Sequence, residues 1–430
     1  MPMNEHENFI LQGDVAFNVD KDTLQTFRRS YVVCEDGKCS GVFPVLPEKY
    51  KDLPIIDHGS QLIIPGMTDL HMHAAQYPLR GIGMDKEQLD WLKSYTFEEE
   101  ARYEDLELAK KAYESFAYNL RRSYTTRAVI YGTIHNDATI ILMDELESTG
   151  LETYVGRINM DRNSVEALQE ENAEVSLEGT KAWLSAIEGK YENTRAIITP
   201  RFIPACSDEL MKGLGELARE RGMRMQSQLS ENLDEIRWVK QLVPDSTCYG
   251  NAYELFGTLG DESRPSVMAH CIYSSDEELE ILKKHGAYIA HCADSNINMA
   301  SGIAPIHKYM DLDLKIGLGT DVAAGTAVNM TQSILRTLQA SKMYYRLVDD
   351  SVKPLTIENV FYLATMGGGE YFGKVGSFLP GYDFDAVVVD DSTIFSMRNL
   401  SVRERIERMC YNDTECVITG KFVKGKRIRR

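Results

Sequence analysis

Cysteine, positive charge and long apolar runs are all in short supply in this chain of 430 residues, and each shortage excludes something. Eight scattered cysteines are too few for a disulfide scaffold and suit a reducing cytoplasm. Cys34 and Cys39 straddle Asp36-Gly37, a hairpin turn signal, so they read as structural rather than as a metal or disulfide pair. No apolar run reaches the roughly 18 residues that a membrane-spanning helix needs. The start, Met-Pro-Met-Asn-Glu-His, lacks a basic stretch followed by an apolar one, so no secretory signal is expected. Lys and Arg number 47 against 65 Asp and Glu, and the resulting charge of -18 repels a nucleic-acid backbone. The last few residues, Arg427 to Arg430, form the longest basic run.

What remains is an ordinary globular composition, 43% hydrophobic and 26% charged. The length accommodates one barrel of about 250 residues and a smaller attached domain. The segment Ile63 to His73 organises the reading. Pro65-Gly66 break an apolar run, and Met67 to His73 follows as a short strand with side chains on alternating faces. His71 and His73 then share a face, with Asp69 one step behind. Two imidazoles so placed can reach one zinc or iron ion.

Before this segment, Phe9–Gly13 and Tyr31–Cys34 are strand-like pieces of a small β-domain. After it, a charged helix is expected from Phe97 to about Tyr124, with Leu106, Ala109, Tyr113, Phe116, Ala117 and Leu120 on its apolar side. From there β-rich pieces recur at Ala128–Tyr131, Thr153–Gly156, Arg195–Thr199, Met223–Ser227, Ser266–Ala269, Ala287–Ala290 and Leu314–Leu318. Helical segments separate most of them. Ser207 caps one, Ser275 and Glu278 form a capping box on another, and His285-Gly286 closes that helix. With the strand ending at His73 there are eight strands, the number an α/β (β/α)8 barrel requires.

Chemistry in such a barrel belongs just beyond the strands. Five of the nine histidines fall there: His71, His73, His135, His270 and His291. Arg201-Phe202, Gln228, Glu231 and Asp321 fall there too. Convergence of these groups on one mouth points to a metal site. His285 reads as a cap residue, and His6, His58 and His307 read as structural or surface groups.

Pro65-Gly-Met-x-Asp69-x-His71-x-His73, Met268-Ala-His270-Cys, Ile289-Ala-His291-Cys-x-x-Ser295-Asn296 and Gly317-Leu-Gly-Thr-Asp321 resemble the metal-dependent amidohydrolase superfamily. Within it, His73-Ala-Ala-Gln76-Tyr, Asp90-Trp91-Leu, Thr199-Pro-Arg201-Phe202 and Gln226-Ser-x-x-Ser230-Glu231-Asn232 are similar to the guanine deaminases. The resemblance implies a barrel over 67–375 and a small β-sandwich domain built from 1–66 and 376–430. It implies one divalent ion, zinc or else iron, on His71, His73 and Asp321, with Gln228 nearby. Glu231 is then the proton shuttle, His270 and Asp321 position and activate water, and His291 is a supporting residue. Gln76, Arg201 and Phe202 are the implied guanine contacts, and the implied assembly is a homodimer.

Two departures stand beside the resemblance. Similar sequences carry a third histidine where this chain has Gln228, a weaker zinc donor than imidazole. Cys292-Ala-Asp-Ser295 replaces the usual Cys-Pro-Asn-Ser. No lysine ends the fourth strand, which favours one ion over two, and neither His-x-Glu nor Pro-Cys-x-x-Cys occurs. Gly367-Gly-Gly369 lacks the lysine of a nucleotide loop. The alternatives are deamination of another purine, a pyrimidine or a triazine, and purine binding with catalysis weakened by Gln228.

Overall fold

The computed structural model describes residues 8–429, so His6 and Arg430 lie outside it. Strands Met67–His73, Thr125–Tyr131, Glu152–Gly156 and Thr194–Ala196 pair in parallel in that order. Gln226–Leu229, Val267–His270, Tyr288–His291 and Lys315–Leu318 do the same. The two halves meet where Gln226 N donates to Ile198 O at 3.0 Å. The ring closes where Asp321 N donates to His71 O at 2.8 Å and His73 N to Val322 O at 2.9 Å. These are the eight strands expected, and helices separate most of them.

Every residue of Met67–His73 is buried, because a barrel strand has side chains inside the barrel on one face and under helices on the other. Leu70, Val129, Ile197, Ala269 and Ala290 form one of the resulting cores. Met72, Ala128 and Ile130 pack in a second, with Phe116 and Leu120 of helix Leu106–Arg122.

Three local expectations change. The single helix from Phe97 is two, Phe97–Ala101 and Leu106–Arg122, because the Asp105 side chain accepts from Glu107 N and Leu108 N and caps a new start. The fifth strand begins at Gln226 rather than Met223, which puts Gln228 within the strand. Ser275 caps its helix, but Glu278 does not complete the box. Its carboxylate accepts instead from Gly250 N at 2.7 Å and Ser230 Oγ at 2.8 Å.

Both ends of the chain build one seven-stranded sheet beside the barrel. Ala386–Asp390 lies between Ile55–Pro65 and Val417–Val423, antiparallel to both. The hairpin turns at Asp36-Gly37, both with positive φ, and sets Cys34 opposite Cys39 as free thiols. Phe9, Phe17, Phe378, Phe384 and Phe422 pack a core shared by the first and last segments. The passage from sheet to barrel runs through Gly66, where a Cβ would come within 2.2 Å of Thr126. Among the described residues no helix is long and apolar enough to cross a membrane.

Candidate active site

The ends of strands one, five and six and the loop after strand eight bring their polar side chains to one point. Asp321 Oδ1 lies 3.2 Å from His71 Nε2 and 3.5 Å from His73 Nε2, and its Oδ2 lies 3.9 Å from His270 Nε2. The Gln228 amide end is 3.5 and 3.3 Å from the same atoms of His71 and His73. His71, His270 and Asp321 each offer a ligand atom within 4.8 Å of the others. His270, read from the sequence as a group that positions water, therefore belongs geometrically with the donors.

The donor set has the charge states a divalent cation requires. Burial lowers the pKa of His71 and takes that of His73 well below the ordinary value, which keeps their imidazoles neutral. Burial opposes ionisation of Asp321, but His71, then His270 and His73, hold its carboxyl well below the usual range. His270 Nδ1 meets Asn296 Oδ1 at 3.0 Å, and Nε2 is buried with no hydrogen-bond partner among the described residues. With Nδ1–H donating, the lone pair on Nε2 is free for a metal. Asp69 stands behind the cluster, accepting from His71 N and Thr320 N, each at 3.1 Å. His270 and Asp321 both have positive φ, a strained backbone retained where side chains must be aimed.

Glu231 Oε2 is 3.3 Å from His270 Nε2 and accepts from Gln88 Nε2. Its Oε1 accepts from Ser301 Oγ at 3.1 Å. Burial first, and then the negative Asp321, push its carboxyl up to about 8, which suits a group that must hold and release a proton near neutrality. Across from it, Gln76 and Arg201 are joined by Glu100. Gln76 Nε2 donates to Glu100 Oε1 at 2.8 Å, and Arg201 Nη1 donates to Oε2. Phe202 is buried in an apolar cluster that includes Phe97, Tyr131, Met160 and Leu168.

The amidohydrolase family model matches residues 62–428. The chain belongs to the amidohydrolase family. This amidohydrolase is 34% identical to a guanine deaminase of Dictyostelium discoideum, over 87% of the chain and 84% of the relative. It is 36% identical to a guanine deaminase of Homo sapiens, over 77% and 73% respectively. A crystal structure of a guanine deaminase from C. acetobutylicum with bound guanine in the active site superposes with a TM-score of 0.94 and 42% identity. That match covers 98% of this chain and 100% of the other.

Not every expected residue joins the amidohydrolase site. His135 is the N-cap residue of helix Asn136–Thr149 and is not among the clustered ligand atoms. His291 is buried, and burial followed by His270 lowers its pKa to about 3, but it is not among the clustered ligand atoms. His285 bonds Gly260 O and Glu254 Oε1, as a group at a helix end. Sequence reasoning missed Gln88, Glu100 and Asn296. Glu100 had one available signal, its i,i+3 spacing from Phe97, which puts it on the inner side of a helix whose Glu98 is exposed.

Proposed function

We propose that this amidohydrolase hydrolyses guanine to xanthine and ammonia. The observation that carries the reading is one buried site that combines a mononuclear donor cluster, a carboxyl raised to about 8, and an Arg–Gln pair for a carbonyl edge. His71, His270 and Asp321 would hold one divalent ion, zinc or iron, with His73 and Gln228 at the same point. When bound, such an ion acidifies water so that a strong nucleophile is available at neutral pH.

The chain's own residues do the rest. Arg201 donates to guanine's carbonyl oxygen, Gln76 fixes the ring edge, and Phe202 covers a face. That orientation turns the amine-bearing carbon toward His270 and Asp321. Glu231 takes one proton from the attacking water and gives it to the ring nitrogen beside the amine-bearing carbon, while His270 and Asp321 orient the attack. It then takes the remaining proton from the newly bound hydroxyl and gives it to the amine, which leaves as ammonia as the new carbonyl forms. His291 supports His270 from strand seven. Adenine has no carbonyl for Arg201 and leaves a buried donor unpaired.

The same reading divides the chain into a small domain, 1–66 with 376–430, and a catalytic barrel, 67–375. Its support is the seven-stranded sheet that strands from both ends share. We also infer a cytoplasmic homodimer, supported by eight free thiols and by symmetric pairs being the commonest oligomers. Light scattering near 48.6 kDa at micromolar concentration would count against the dimer.

Ammonia release from guanine, adenine, cytosine and a triazine tests the reaction, on this protein and on Gln228→His. Guanine is the expected substrate for both, with the histidine form faster and Glu231→Gln inactive. Faster release from adenine or the triazine overturns the substrate. Gln228 favours a second reading, purine binding without turnover, which is the outcome if guanine binds and neither form releases ammonia.

A further inference from the structure

The carbonyl-recognition end of the site contains a charge arrangement that deamination does not itself demand. Glu100 and Arg201 are each 1% exposed, and the only ion pair of Arg201 among the described residues is with Glu100. The Phe97 ring, three residues before Glu100 on the same short helix, lies 5.2 Å from the guanidinium carbon. The other oxygen of Glu100 accepts from Gln76, whose own Oε1 accepts from Ala323 N at 3.4 Å. One amide hydrogen of Gln76 and the remaining Arg201 donors are left for a ligand.

We propose that Glu100 is a specificity-determining positioning residue that balances the charge of Arg201, so that the site holds a neutral oxo-purine and disfavours an anionic one. This deepens the proposed function and rests on its assignment of Arg201 and Gln76 to the purine's carbonyl edge. A buried guanidinium with no counter-charge attracts an anion, because an unpaired buried ion is strongly disfavoured. A guanidinium already paired gains little from a second anion, yet its N–H groups still donate to a neutral carbonyl. Guanine keeps its ring protons to higher pH than xanthine does. Xanthine, with a carbonyl in place of the amine, is the more acidic purine and loses a ring proton in mild alkali. The balanced pair thus retains substrate and weakens the hold on ionised product.

The titratable groups around the pair are His73 and Tyr131 from strands one and two, and Tyr103 and Tyr113 from the helical segments beyond. Burial keeps His73 neutral and raises all three phenols, so none of the four changes charge in mild alkali. Glu231 does titrate there, but it is common to the wild type and to any Glu100 variant.

The test is inhibition of guanine turnover by xanthine from about pH 6 to about pH 9, in the wild type, Glu100→Gln and Glu100→Asp. Wild-type inhibition is expected to weaken as pH rises. The ratio of the wild-type inhibition constant to that of Glu100→Gln is expected to grow about tenfold over the range, while Glu100→Asp keeps the wild-type slope. A ratio that does not change with pH overturns the proposal and leaves Glu100 a structural residue. If Glu100→Gln does not fold, wild-type inhibition that strengthens with pH overturns it alone. If guanine is not turned over, the proposed function fails, and calorimetric titration with xanthine at both pH extremes still decides the role of Glu100.

Discussion

Glu231 is held from three directions: Gln88 donates to one carboxyl oxygen, Ser301 to the other, and His270 Nε2 stands 3.3 Å away. Gln88 is 5% exposed and opens the short helix Gln88–Trp91, so its side chain can reach the carboxyl only when that segment is folded over the site. Gln88→Ala removes a hydrogen bond that orients the proton-carrying carboxyl, and the expected effect is a fall in kcat of about tenfold or more with KM changed less. Steady-state kinetics on guanine read this directly, and an unchanged kcat would show that Glu231 does not depend on Gln88. At Gln228 the amide faces His71 and His73 where similar sequences have imidazole. Gln228→His should slow loss of the bound ion to a chelator by about tenfold, measured by elemental analysis over time. Equal rates in the two proteins would mean that residue 228 is not a ligand.

The helix that follows Glu231 shows how an element can carry a charge penalty near the site. Asn232 and Glu235 form its capping box, and Glu235 also accepts from Tyr249 Oη at 2.7 Å. Burial, reinforced by Glu231, raises the Glu235 carboxyl to about 7. The folded state therefore binds a proton that the unfolded state has already lost. Stability from this group is complete below the ordinary carboxylate range and is lost as pH rises through about 7. Glutamine keeps the capping-box bond through its one oxygen, and its amide N–H can donate to the Tyr249 hydroxyl in place of the bond that Glu235 accepts. Glu235→Gln is thus expected to stabilise the fold at about pH 8 by on the order of 3 kcal/mol, and not at about pH 4. Urea unfolding at the two pH values checks it; an equal effect at both would exclude a titrating Glu235.

Barrel and end sheet are joined through a buried ion network rather than through packing alone. Arg127, on the second barrel strand, donates through Nε to Asp385 and through Nη2 to Asp383, each at 2.7 Å. Both aspartates lie just before strand Ala386–Asp390 of the sheet. Arg127→Leu leaves the buried Asp385 carboxylate without its salt-bridge partner at this junction, while Asp383 keeps Lys38, and a loss of about 4 kcal/mol is expected. Denaturant titration measures it, and a change below about 1 kcal/mol would mean that the junction relaxes around the loss. The donor cluster does not include Arg127, so guanine turnover per folded molecule should persist.

Much of this architecture was legible in local patterns. Strand alternation put His71 and His73 on one face, and the serine and glycine signals marked helix ends at Ser207 and Gly286. Those features depend on neighbours a few residues apart, where the period of the chain decides. Local patterns did not assign His270 to the donor cluster, join Glu100 to both Gln76 and Arg201, or bring Gln88 to Glu231. Each of these contacts depends on how separate elements pack. Protonation was decided in the same way: a glutamate ionises in water, and Glu231 is raised to about 8 only because the closed barrel removes water from it and sets Asp321 nearby.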